Sequence, residues 1–322
     1  ILNPLLLAYD IQKKVPFESI IKTKRWEVIT DVIRWMDRNS NAAALAARVG
    51  DLRVLEYLFQ NGFSWQEDTC SGASFHGHLN CLQFAHENGC PWDTRVLEFA
   101  AQAGHLHCLQ YGRQEGLPWS SDVCYFAAKN NHFACLKYAH ENGCPWEVDV
   151  LYAAACFGHL GCLKYAFERG LEWDDKVCHF AARCVSKECL QYAHENGCVL
   201  TATATIEAAL NGSAACLEYV LEHGAPIHDE SLNAACQKGH LHCLQLLHDY
   251  GARWDESSCV FASKCNNTPC LQYLHENGCP WDANTVQSAA VVGLAEPVRY
   301  ALDHGCPYDD HIMQSAACGS NA

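Results

Sequence analysis

Cysteine and histidine are the residues of this sequence best suited to chemistry. The 322 residues include 22 Cys and 18 His, and a His-x-x-Cys spacing occurs five times. The pairs are His78/Cys81, His105/Cys108, His132/Cys135, His159/Cys162 and His240/Cys243. Thiolate and imidazole bind zinc, but a tetrahedral site needs four ligands and no Cys-x-x-Cys occurs. The spacing therefore predicts no metal site.

A second recurring motif, His-Glu-Asn-Gly, pairs an acid with a base. It begins at His86, His140, His194 and His275, with His248-Asp249 as a variant. A catalytic pair is expected once in a chain rather than in several copies. The sequence also has no phosphate-binding glycine loop, nucleophile elbow or His-Glu-x-x-His motif. We therefore expect no enzyme activity and no cofactor.

These motifs recur because the chain is a repeat with a period of 27 residues. One column holds leucine in nine units and valine in the tenth, and a second column holds glycine in all ten. The first column is Leu55, Leu82, Leu109, Leu136, Leu163, Leu190, Leu217, Leu244, Leu271 and Val298. The second is Gly62, Gly89, Gly116, Gly143, Gly170, Gly197, Gly224, Gly251, Gly278 and Gly305. Ten units without an insertion predict a stacked repeat fold.

Each unit has the pattern of two short helices. The first helix carries Ala-Ala near its end, as in Ala127-Ala128, and the small pair lets helices approach closely. In the second helix, apolar residues recur at helical spacing, which gives one buried stripe. The column glycine then supplies the left-handed conformation that ends a helix, and a following proline cannot continue it.

The pattern x-x-Ala-Ala-x-x-Gly-His-Leu-x-Cys-Leu-x-Tyr-Ala-x-Glu-x-Gly resembles the ankyrin repeat. The resemblance covers residues 41–322. It is closest to the short, Cys- and Trp-rich ankyrin-like repeats of protists and giant viruses. The ankyrin unit has 33 residues, and the six missing here fall where ankyrins have a β-hairpin finger. The resemblance implies an all-α, ankyrin-like helix-turn-helix repeat solenoid of about ten 27-residue units, with the fingers missing.

The domain prediction follows from this repeat. Residues 1–40 form an N-terminal helical cap or docking segment, 41–308 form ten repeats, and 309–322 begin an incomplete eleventh. Charge changes at the same place, because residues 1–53 carry nine basic and six acidic residues (+3) and the remainder carries 13 and 31 (−18). Since the chain starts at Ile1 and ends within a repeat, we expect a fragment of a longer protein, a processed chain, or only the ordered part of a protein.

The cysteine and tryptophan columns are interpreted as packing positions. Cys that alternates with Leu, Val or Thr at one site acts as a small hydrophobe. Equivalent residues of neighbouring units lie roughly 8–10 Å apart, the helix packing distance, whereas a disulfide needs Cα atoms within about 7 Å. The sequence thus predicts free thiols in a reducing compartment, the cytoplasm, or an organelle interior if a targeting segment is missing. Trp occupies one column in seven units, where we expect packing between repeats.

The partner-binding surface is predicted from the positions that vary most. In ankyrins the two residues after Ala-Ala line the concave face. Here these 20 positions include five basic and no acidic residues. The predicted binding residues are Phe75, His76, Gln102, Lys129, Asn130, Phe157, Arg183, Leu210, Gln237, Lys238, Lys264, Val291 and Val292. Acidic residues instead share a column at the end of the second helix.

We therefore expect a non-catalytic scaffold that binds a protein with an acidic or mixed surface through its concave face. The alternative is a structural subunit built into a large multiprotein assembly. A net charge of −15 argues against nucleic acid as a partner. No apolar run approaches the roughly 18 residues that a membrane span requires, so the chain is not expected to be integral to a membrane.

Overall fold

The computed structural model describes residues 16–184 and 186–308. Every regular element in these ranges is an α-helix, and none of their residues lies in a β-strand. The predicted all-α, helix-turn-helix repeat is therefore confirmed. The chain forms two compact units, Ile1–Val150 and Leu151–Ala322, and each is described by itself.

In its described part, residues 16–150, the first unit contains two short helices followed by four helical hairpins. The short helices are α1 (Phe17–Lys22) and α2 (Trp26–Arg34). The hairpins are α3 (Ala42–Val49) with α4 (Leu52–Gln60), α5 (Asp68–Phe75) with α6 (Leu79–Glu87), α7 (Arg95–Ala103) with α8 (Leu106–Gln114), and α9 (Asp122–Lys129) with α10 (Phe133–Glu141). Each first helix contacts its own second helix, and α3, α5 and α7 each contact the next first helix, so the hairpins of this unit are stacked.

The second unit begins within α11 and contains the remaining six hairpins. These are α11 (Asp149–Cys156) with α12 (Leu160–Glu168), α13 (Asp175–Arg183) with α14 (Lys187–Glu195), α15 (Ala202–Leu210) with α16 (Ala214–Glu222), α17 (Asp229–Lys238) with α18 (Leu241–Asp249), α19 (Glu256–Lys264) with α20 (Thr268–Glu276), and α21 (Ala283–Val292) with α22 (Ala295–Asp303). From α13 to α21, each first helix packs on the next first helix.

The repeat columns build the core. The column leucines Leu55, Leu82, Leu109 and Leu136 of the first unit have no exposed surface. Full burial of each such side chain is worth about 1.5–3 kcal/mol. The Ala-Ala pairs are buried where first helices meet, since a small side chain leaves room for the neighbouring helix. Ser74 occupies one of these alanine sites, and its Oγ donates a 2.6 Å hydrogen bond to the carbonyl of Val96 in the next hairpin.

Glycine ends the helices as the sequence predicts. The column glycine has a positive φ in all ten hairpins, for example 81° at Gly89 after α6. L-residues with a Cβ avoid this conformation. The hairpin turn has a second glycine, Gly104, with φ 80°. The ring of His132 from the next hairpin lies against it, and a Cβ on Gly104 would lie 2.6 Å from His132 Cε1.

The segment before the repeats packs on the first hairpin. Helix α1 contacts α3, and the Trp26 ring of α2 meets Tyr57 edge-on with 5.4 Å between centroids. The Arg53 guanidinium lies 3.9 Å above the Trp26 ring, which is a favourable cation–π distance. A capping or docking role for residues 1–40 and a domain boundary near residue 40 remain predictions. The predicted start of an eleventh repeat, 309–322, lies outside the described residues.

Candidate protein-binding surface

The predicted binding residues lie at the carboxyl ends of the first helices. Phe75 is the last residue of α5, Lys129 of α9 and Lys264 of α19. We call these ends the first-helix face and define it separately in each unit. In the first unit it comprises Phe75, His76, Gln102, Lys129 and Asn130. In the second it comprises Phe157, Arg183, Leu210, Gln237, Lys238, Lys264, Val291 and Val292.

Packing of neighbouring first helices brings parts of this face together within each unit. In the first unit, the Phe75 ring lies 5.9 Å from Phe99 of α7 and 5.2 Å from His76. In the second unit, Arg183 of α13 reaches Glu207 of α15. In each unit, one residue of the face thus contacts the neighbouring first helix.

Several members of the face are exposed apolar side chains. The exposed fraction is 38% for Phe75, 49% for Phe157, 69% for Val291 and 55% for Val292. Single exposed apolar residues are ordinary, whereas adjacent ones in a groove indicate a contact surface.

A groove of about 640 Å³ lies between α19 and α21 of the second unit. Val260, Phe261, Val291 and Val292 supply its apolar wall. Its polar lining is Glu256, Ser257, Lys264, Asp282, Asn284, Gln287 and Ser288. The groove therefore has an apolar wall with both an ammonium group and carboxylates in its lining.

The charge on the face differs from the sequence interpretation at one position. Arg183 Nε lies 3.3 Å from Glu207 Oε2, so this arginine is ion-paired with the adjacent first helix. The sequence count omitted Glu207 because it lies one turn before the helix end. In the first unit, burial followed by the positive charge of Arg48 lowers the pKa of His76. The shift favours the neutral form of the His76 ring.

The tryptophan column lies away from this face and connects repeats. The Trp92 ring stacks on His86 with 3.7 Å between centroids and lies 6.0 Å from Tyr111 of the next repeat. His86 Nδ1 shares a 2.8 Å hydrogen bond with the Tyr111 hydroxyl. In the first repeat, Trp65 Nε1 donates to the carbonyl of Asn88. The predicted packing between repeats is present, and all seven tryptophans are half-buried.

The turn histidines also have packing roles. His132 covers Gly104, and Asn267, which replaces a turn histidine, donates to the carbonyls of Cys236 and Gln237 at 2.7 and 2.9 Å. Within residues 16–184 and 186–308, no three His, Cys, Asp or Glu residues are grouped so that they could hold a metal ion. The recurring His-x-x-Cys spacing is thus explained by the turn.

The cysteines include an arrangement that the sequence interpretation missed. The column cysteines, such as Cys108 and Cys135, are buried free thiols. In four repeats, however, a first-helix cysteine contacts a cysteine in the loop after the second helix, and Cys259 Sγ lies 3.3 Å from Cys279 Sγ. Sequence reasoning compared equivalent positions of neighbouring repeats and overlooked two different positions of one repeat. Their 20-residue spacing in four units would have revealed the pairs.

Comparison with known proteins gives likenesses among solved structures. No protein-family model and no curated protein matches the chain. Among solved structures, the chain is similar to the crystal structure of the human ASB11 ankyrin repeat domain, with 22% sequence identity and a TM-score of 0.46. The match covers 55% of this chain and 96% of that chain. None of the helices in the described ranges combines the length and apolar character needed to cross a membrane.

Proposed function

We propose that this chain is a non-catalytic protein-interaction scaffold of short ankyrin-like repeats that binds a protein partner through the first-helix face. The observation that carries the proposal is the apolar groove between α19 and α21, with Val291 and Val292 exposed beside it. The buried alanines and leucines already stabilise the hairpins. The side chains of Val291 and Val292 are therefore available for contact with another molecule.

A pre-ordered face supports binding energetically. Its residues lie at the ends of helices that pack on their neighbours. Little backbone conformational freedom is therefore lost when a partner binds. Burial of apolar surface in the groove would contribute about 25 cal/mol per Å². Large exposed side chains such as Phe75 and Phe157 are the anchors that we expect to dominate the affinity.

The charges favour a partner with an acidic or mixed surface. Lys238 and Lys264 are exposed members of the face. An acidic column lies instead at the ends of the second helices, and in the second unit it is Glu168, Glu195, Glu222, Asp249, Glu276 and Asp303. Contact of nucleic acid with so acidic a chain would be repulsive. We place the protein in a reducing compartment, with the cytoplasm first, because its described cysteines are free thiols.

The test is an affinity pull-down followed by cross-linking mass spectrometry on wild type and two face variants. One variant combines Lys129→Glu, Arg183→Glu, Lys238→Glu and Lys264→Glu, and the other combines Val291→Ser with Val292→Ser. Val199→Ser is the matched control, because Val199 is 64% exposed in a loop away from the face. Far-ultraviolet circular dichroism checks that every variant remains helical.

We expect partners that are retained by Val199→Ser and lost in both face variants, with cross-links near Lys238 and Lys264. Partners retained by every variant, with cross-links confined to the acidic second-helix ends or to residues 16–40, would contradict binding through the first-helix face. Stable co-purification of many subunits, unaffected by the variants, would favour the alternative of a structural subunit in a large assembly.

A further inference from the structure

Four repeats each bring two buried cysteines together. One lies on the first helix and the other in the loop that follows the second helix. The pairs are Cys70/Cys90, Cys124/Cys144, Cys178/Cys198 and Cys259/Cys279. The Sγ atoms of Cys259 and Cys279 are 3.3 Å apart, and a disulfide bond is about 2.05 Å long. Bond formation in this pair would bring the two sulfurs about 1.2 Å closer together.

Where the first-helix position of a repeat holds cysteine, the loop position of the same repeat holds cysteine as well. Every first-helix cysteine at this position has a cysteine 20 residues later. In the other six repeats the two positions are Ala43/Phe63, Leu97/Leu117, Leu151/Leu171, Thr205/Ala225, Leu232/Ala252 and Val286/Cys306. Packing compensation places a large residue opposite a small one, as in Ala43/Phe63, yet two cysteines together fill much less space than two leucines. Volume alone therefore does not account for the recurrence of cysteine at both positions.

The two thiols of a pair are not equivalent. The first-helix sulfurs have no exposed surface, whereas the loop sulfurs belong to residues that are 3–4% exposed. Cys259 donates its hydrogen bond to the sulfur of Cys279, which in turn donates to the carbonyl of Asp255 at 3.3 Å.

In the other three pairs, the hydrogen bond between the two thiols shifts their pKa values in opposite directions. The bond with Cys90, followed by burial, raises the pKa of the Cys70 thiol, and the bond from Cys70 lowers the pKa of Cys90. The pKa of each loop thiol, Cys144 and Cys198, is lowered for the same reason. In these three pairs the loop sulfur is thus both the more accessible thiol and the more readily ionised one.

We propose that each pair is an oxidation site at which a peroxide converts the two thiols into a disulfide within one repeat. The loop thiolate attacks one peroxide oxygen, the O–O bond breaks, and hydroxide leaves, which gives a sulfenic acid. The first-helix thiol then attacks that sulfur, so the S–S bond forms, the S–O bond breaks, and water leaves with the thiol proton. Two thiols lose two electrons in total, and the peroxide is reduced to two molecules of water.

The experiment treats the purified, reduced chain with hydrogen peroxide at neutral pH. Remaining thiols are alkylated after denaturation, and peptides are mapped by mass spectrometry without reduction. We expect four cross-linked peptides, one from each pair, and a loss of two hydrogens for each. The column cysteines Cys108, Cys135, Cys243 and Cys270 should stay fully alkylatable, because none belongs to a pair.

Two variants test the pairing itself. Val286→Cys places a first-helix thiol opposite Cys306, which has no such partner in the wild type, and it should add a fifth cross-link. Cys259→Ala should abolish the cross-link at Cys279 and leave a sulfenic acid there that dimedone labels. Circular dichroism confirms that both variants fold.

The proposal would be overturned if the four pairs remained alkylatable after peroxide treatment. Disulfides that join cysteines of different repeats would also overturn it, as would sulfinic acid at the loop cysteines of the wild type in place of a disulfide.

Discussion

The contact between the turn histidine and the turn glycine gives the sharpest prediction about stability. Gly104 has φ 80°, and a Cβ built on it would lie 2.6 Å from Cε1 of His132. Carbon atoms pack best at about 3.5–4.0 Å, so the ring would have to move by about 1 Å. His132 directly precedes α10, so this movement would disturb the junction between two hairpins.

Two contributions make up the expected cost of Gly104→Ala. The left-handed conformation costs about 1–2 kcal/mol for a residue with a Cβ, and the clash adds about 1–3 kcal/mol. Gly89→Ala is the matched control, because Gly89 has φ 81° and no heavy atom lies within 4 Å of its built Cβ. We expect Gly89→Ala to cost only the conformational term, about 1–2 kcal/mol.

The assay is urea unfolding followed by circular dichroism, arranged as a double-mutant cycle with His132→Ala. Removal of the ring should reduce the cost of Gly104→Ala to that of Gly89→Ala, which gives a coupling of about 1–3 kcal/mol. Equal costs for the two glycine substitutions, or a coupling near zero, would refute the contact as a determinant of stability.

Three further predictions concern the core. Ser74→Ala removes the 2.6 Å hydrogen bond to the Val96 carbonyl and should lower the free energy of unfolding by about 0.5–1.5 kcal/mol in urea titrations. Leu163→Ala empties a site with no exposed surface and should cost about 2–5 kcal/mol by the same assay, whereas a cost below that of Ser74→Ala would contradict its place in the core. Burial raises the pKa of Cys108 to about 12, so the unfolded state alone loses this proton above about pH 8.5. The contribution of this thiol to the free energy of unfolding should therefore be constant below pH 8. It should fall as pH rises toward 12, by up to about 1.4 kcal/mol per pH unit. Urea unfolding midpoints at pH 7.5 and pH 9.5, for wild type and for the control Cys108→Val, measure this pH dependence.

The fold could be predicted from the sequence because each repeat column has one physical role. Leucine at Leu109 and its equivalents must be buried, glycine at Gly89 must end a helix, and ten copies of the pattern leave few alternatives. The architecture follows because a hairpin of this kind can bury its apolar stripe only against another hairpin.

What the sequence could not give is contact between different columns. The ion pair of Arg183 with Glu207 joins the end of one helix to the middle of the next. The Cys259/Cys279 contact joins a helix to a loop of the same repeat. Such pairs depend on how far each side chain reaches, whereas periodicity shows only which residues occupy equivalent positions.

The first-helix face can be separated from the scaffold by comparing two of its repeats. Gln237-Lys238 and Val291-Val292 occupy the same two positions, each at the end of a helix that buries alanine against its neighbour. Because the helix forms with Gln237 and Lys238 at these two positions, the repeat does not require Val291 and Val292 there. The exposed valines therefore contribute nothing to the hairpin that glutamine and lysine would not. Their apolar surface contributes free energy only when something covers the groove between α19 and α21, and this is why Val291→Ser with Val292→Ser should weaken binding while leaving stability nearly unchanged.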